Sequence, residues 1–124
     1  MDDNVISSYR DLRVWREAME LAEACYRISA DFPRDEIFGM TAQIRGAAVS
    51  VPANIAEGYG RESAGAYVQF LKVAQGSLKE LETHLLLCQR LRFAPTADLD
   101  AVLERCSSVG RMLHALIRSV QRSI

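Results

Sequence analysis

The string KELETH, residues 79 to 84, sets Glu80 four places before His84, the nearest approach in this sequence to the ligands of a carboxylate-bridged metal centre. A metalloenzyme of the carboxylate-bundle kind uses Glu-x-x-His on two helices and one further glutamate from each of two others. Here Leu81 occupies the position three before His84, and the second histidine, His114, follows Arg111 with no carboxylate nearby. That chemistry is therefore the alternative reading and not the leading one. A helical-bundle ribonuclease pairing arginine with a histidine five to seven positions later also fails, because neither histidine has such an arginine before it. Glycine-rich phosphate loops and Ser-His-Asp arrangements are absent, and Glu57 has no nucleophile or histidine in its own stretch. No catalytic residue, metal or cofactor is expected.

Two other polar groupings could serve binding. The first lies in SVPANIAEGYGR, residues 50 to 61, where Pro52 interrupts a helical pattern and Asn54 and Glu57 stand among small apolar residues. Proline removes the bond its N–H would make to the carbonyl of Ala48 and crowds that carbonyl, so a kink is expected, at about 3 kcal/mol in a solvated helix. At 100° per residue Gln43, Ser50, Asn54, Glu57 and Arg61 share one narrow stripe, flanked by Gly46, Ala47, Ala53 and Ala56. Such a stripe either satisfies groups freed by the kink inside one bundle or joins neighbouring subunits. The second grouping is C-terminal. After Glu104 no acidic residue follows, while Arg111, Arg118 and Arg122 share a face opposite the apolar arc. They are candidate contacts to RNA or DNA, although arginines there also suit the negative end of a helix.

The elements that must carry these residues are four amphipathic helices, at about 11–31, 34–59, 63–92 and 96–122, in a single domain spanning 1–124. The first has two interlocked apolar series. Leu12, Trp15, Met19, Ala22 and Tyr26 form one, on which Trp15 should be largely buried; Val14, Ala18, Leu21, Cys25 and Ile28 form the other. Phe32-Pro33 ends it. The second carries Ile37, Met40, Ile44, Ala48, Val51 and Ile55 and stops at Gly58-Tyr59-Gly60. Ser63 caps the third, whose seam Tyr67, Leu71, Ala74, Leu78, Leu81, Leu85 and Cys88 alternates four and three. The fourth shows Leu99, Val102, Cys106, Val109, Leu113, Leu116, Val120 and Ile124. Short links between long helices predict an all-α, up-down antiparallel four-helix bundle with a proline-kinked second helix.

Composition agrees with a globular chain: 49% of the 124 residues are hydrophobic and 25% charged, with a net charge of −1. No global field draws it to nucleic acid or membrane, so any such binding needs a local patch. The three cysteines lie far apart on apolar runs, without a CxxC or Cys/His cluster, and read as reduced core residues of a cytoplasmic protein. The acidic start MDDNVISSY lacks the pattern of a signal peptide, and no run approaches about 18 apolar residues.

Several strings together carry a family likeness: DLRVW, FP with its acidic turn, GMTAQIR, AAVSVPANIAEGYGR and GSLKELET. They resemble the four-helix-bundle proteins encoded in intervening sequences of bacterial 23S rRNA genes. That family is similar in fold to the accessory variability protein of diversity-generating retroelements, a basic homopentamer that binds nucleic acid. The resemblance implies a homo-oligomer, with a pentamer favoured, and no established biochemical activity. Two positions depart from the family pattern. Gly46 follows Arg45 where a second basic residue is common, which removes a charge. Ala66 stands where an acidic residue would close a capping box with Ser63, so the third helix should start less firmly.

Overall fold

Asp11 decides where the first helix begins. Its carboxylate accepts from the N–H groups of Ser7 and Ser8, at 2.9 and 3.1 Å, and this capping box closes a 3-10 turn over Tyr9–Asp11. Helix α1, Arg13–Ser29, therefore starts two residues later than the sequence pattern predicts and ends two residues earlier. The computed structural model describes residues 5–123, so Ile124, the last of its apolar series, lies outside the described residues.

The second helix is shorter than its pattern. Residues Arg34–Glu36 form a 3-10 turn after Pro33, and α2 spans Met40–Tyr59. Glu36 reaches past the break, and its Oε1 accepts from the Met40 N–H at 3.0 Å. A side chain at Gly39 would come within 2.9 Å of that same oxygen, so the Glu36 carboxylate would have to shift from this bond. Ile37, expected in the buried seam, is left 57% exposed. From Met40 the helix continues through Pro52 in one stretch, with Ile44, Ala48, Val51 and Ile55 fully buried.

Helices α3, Ala64–Leu91, and α4, Thr96–Arg122, follow the sequence reading closely. The Ser63 hydroxyl accepts from the Ala66 N–H at 3.1 Å, so the cap forms on one side although Ala66 cannot reciprocate. Arg92 turns the chain out of α3 in the left-handed conformation, φ 59°, before Pro95 opens α4.

Each helix packs against the next and α4 closes back on α1, so α1 faces α3, and α2 faces α4, only across the diagonals. One cluster holds the core, with Leu21, Ile44, Ile55, Leu71, Leu81, Leu85, Leu99 and Leu113 fully buried. On α3 the predicted seam is buried from Leu71 to Cys88, with Val68 buried where Tyr67 is expected and Tyr67 only partly covered, and on α4 Ile117 joins the core while Leu116 and Val120 are only partly covered. On α1 the second series is the more deeply buried, although Ala22 of the first also joins the core and Ile28 of the second is only partly covered. Val14, Ala18, Leu21 and Cys25 point into the core, whereas Met19 and Tyr26 are exposed. Trp15, expected to be largely buried, is half-buried at the edge and stacks edge-on against Tyr9, ring centres 5.2 Å apart.

Helices α2 and α3 approach closely at Gly58. A methyl group added at Gly58 would lie 2.8 Å from Phe70 Cβ and 3.2 Å from the Tyr67 carbonyl oxygen. Only a glycine permits this approach without displacement.

Candidate functional site

The polar stripe of α2 divides once its partners are known. Ser50 and Asn54, partly buried, turn toward α3: the Ser50 and Ser77 hydroxyls share a 2.7 Å hydrogen bond. The Asn54 amide donates to the Ser50 carbonyl at 2.8 Å and to its hydroxyl at 3.0 Å. The carbonyl deprived by Pro52 is that of Ala48, so the amide supports a neighbouring group. Glu57 and Arg61 pair with each other at 2.9 Å on the surface, and the Arg61 guanidinium lies 4.7 Å from the Phe70 ring centre. Gln43 is exposed beside Gly46, in an open notch that also touches Glu80.

Pro52 belongs to the other edge of α2. With Met19, Ala22, Tyr26 and Val49 it lines a mainly apolar groove of about 450 Å³ between α1 and α2, which the ion pair of Glu23 and Arg27 on α1 also borders. The exposed residues between Arg45 and Glu57 on α2 are all uncharged, so nothing on that helix repels an apolar partner there. Arg45 fixes the groove's end. Its Nε donates to the Ser29 hydroxyl at 2.9 Å and its guanidinium covers the Tyr26 ring at 4.8 Å, which ties α2 to the last turn of α1. Phe38, before the start of α2, is 95% exposed, more than any other large hydrophobic side chain among the described residues. Neither Arg45's contacts nor the exposure of Phe38 was signalled by periodicity, which places both inside a continuous helix.

Across the bundle, between α3 and α4, runs an open groove of about 1120 Å³. Arg111, Arg118 and Arg122 line it, as their common face on α4 predicts, and Lys72 and Lys79 of α3 line the same groove. The sequence reading missed the two lysines, which are seven apart and so share a side of α3. Glu82 is the one carboxylate present and is paired with Lys79 at 2.9 Å. Gly76 and Gly110 lower its floor; a methyl group at Gly76 would meet nothing within 4 Å.

The groups singled out for metal chemistry stay apart. His84 Nε2 lies 3.4 Å from Glu80 Oε1 on the surface of α3, and His114 lines the basic groove on α4. Among the described residues no three His, Cys, Asp or Glu side chains converge. Cys25, Cys88 and Cys106 are buried free thiols, and burial pushes them up to about 12, 11 and 12 respectively. Thiols so shifted are poor nucleophiles at neutral pH. No helix among the described residues is long and apolar enough to cross a membrane.

Comparison with solved structures finds the same fold in a protein of unknown function from the S23 ribosomal protein family of Bacteroides thetaiotaomicron. The TM-score is 0.76 at 21% identity, covering 84% of this chain and 97% of that one. Among curated proteins none matches. The profile of the family described as 23S rRNA-intervening sequence protein matches residues 10–115, nearly the whole helical bundle, and the chain belongs to that family.

Proposed function

We propose that the chain is a non-enzymatic, homo-oligomeric helical scaffold, a pentameric ring in which Phe38 of one subunit seats in the α1/α2 groove of the next. The observation that carries this reading is the pairing of a fully presented aromatic knob with an apolar hollow elsewhere on the same surface. Burying a phenylalanine side chain stabilises by about 1.5–3 kcal/mol. Phe38 is 95% exposed, so it does not fill its own subunit's groove. A knob and hollow on different patches make a head-to-tail contact, which closes into a ring when the rotation allows. Ala53, exposed next to Pro52, would meet the neighbour beside the knob, whereas Gln43, Glu57 and Arg61 lie toward α3 and take no part in this contact. The number five comes from the family resemblance.

Arg111, Arg118 and Arg122 are proposed as weak contacts to RNA or DNA, multiplied by the ring. The three buried thiols suit a reducing cytoplasm.

The head-to-tail arrangement is tested by mixing two defective chains. Phe38→Ser keeps the hollow and loses the knob, and Val49→Glu keeps the knob and charges the hollow. Each alone should be monomeric, and the mixture should stop at heterodimers, because only one sound contact is available. A mixture that stays monomeric, or either variant forming rings alone, contradicts the arrangement.

A further inference from the structure

We infer that the α3/α4 groove is a channel for one sugar-phosphate strand, with Lys72 and Lys79 completing the cation set that the α4 arginines begin. The inference deepens the nucleic-acid association proposed above and rests on it. Five of the chain's fifteen basic residues line this groove and only one of its sixteen acidic residues does, although the whole chain is slightly negative. The cations are also ordered. Gln89 on α3 contacts Asp100 on α4 at 2.6 Å, and a methyl group at Gly110 would meet Leu78 at 3.4 Å, which together fix the antiparallel register. In that register the charges alternate between the helices, as Lys79, Arg111, Lys72 and Arg118, with Arg122 beyond them, over about 20 Å.

Two further features define the occupant. Packed helices lie about 8–10 Å apart, so the crevice between α3 and α4 admits a single strand more readily than a duplex, which can offer it one backbone edge only. Among the described residues no Phe, Tyr or Trp lines the groove, so there is no platform for stacking bases, and contacts fall on phosphates without regard to sequence. Leu78, Cys106 and Ala115 also line the groove, so an acidic peptide is the competing occupant and polyglutamate is its probe. The groove also lies across the bundle from the α1/α2 hollow, so assembly through that hollow leaves the channel open on every subunit.

The test uses fluorescence anisotropy on the full chain with a labelled single-stranded oligouridylate, its duplex with oligoadenylate, and polyglutamate. The single strand should bind most tightly, with log K falling against log salt at a slope of about −3, as four to five neutralised phosphates require. Gly76→Glu places a carboxylate in open groove space and should weaken binding tenfold or more with helicity and mass unchanged. Lys72→Glu should act likewise. If both variants bind as the wild type does while Arg111, Arg118 and Arg122 changed together to alanine abolish binding, the arginines still touch nucleic acid and the channel is wrong. A duplex bound as tightly as the single strand overturns the single-strand assignment. If the oligouridylate does not bind, or polyglutamate binds equally, the nucleic-acid reading fails together with the channel.

Discussion

The Ser50 hydroxyl on α2 and the Ser77 hydroxyl on α3 share a 2.7 Å hydrogen bond, with the Asn54 amide completing the group at 3.0 Å from Ser50. Ser50, from a stripe that could either serve the kink within one bundle or join subunits, thus already joins two helices of one subunit. Ser77→Ala removes a single partner and leaves Ser50 its bond to Asn54. It should cost about 0.5–1.5 kcal/mol in denaturant unfolding, without altering the particle's mass in solution. A change in mass instead would assign Ser77 to the space between subunits.

Gly58 and Gly76 should respond oppositely to alanine. Gly58→Ala gains about 1 kcal/mol of helix propensity but drives a methyl group within 2.8 Å of Phe70 Cβ, an overpacking cost of about 1–3 kcal/mol. The net change should be a loss. Gly76→Ala meets open space and should stabilise by up to about 1 kcal/mol. Urea unfolding of the pair checks both signs, and a stabilised Gly58→Ala would mean that α2 and α3 do not approach as described.

Much of this bundle was legible because a few residues say unambiguously where helices start. Ser63 and Pro95 mark the beginnings of α3 and α4, and the four-three spacing of α3 leaves one choice of buried face. On α1 two apolar series share the same period. Only the packing against α2 and α4 decides that Val14, Ala18, Leu21 and Cys25 are inside, with Met19 and Tyr26 left out. Ile37 continues the period of α2, yet the chain breaks at Gly39 and leaves Ile37 exposed. For the candidate site, the arginine face of α4 could be read from one helix alone. Lys72 and Lys79 could not be joined to it, because that required the register between two helices.

Alkaline pH should destabilise the fold through its buried thiols. Burial favours the neutral form, so Cys25 and Cys106 stand at about 12 and Cys88 at about 11, against about 8.5 in an unfolded chain. The stabilisation they give is complete below about pH 8.5 and is lost as pH rises through 11 to 12. Tyr67, raised to about 12 by burial first and by Tyr59 second, acts in the same direction. The denaturation midpoint should therefore fall as pH rises above 9. At pH 8 a thiol reagent should leave the native protein unlabelled and modify three cysteines only after unfolding. Rapid labelling of the native chain would place at least one thiol at the surface.

Size in solution tests the scaffold most directly. Light scattering on the eluting wild-type protein should give a single species of five times the 13.8 kDa chain, and Phe38→Ser, which touches no core residue, should give the monomer with its helical circular dichroism intact. A wild-type chain that elutes as a monomer, or a Phe38→Ser variant that keeps the wild-type mass, would contradict assembly through Phe38 and the α1/α2 groove.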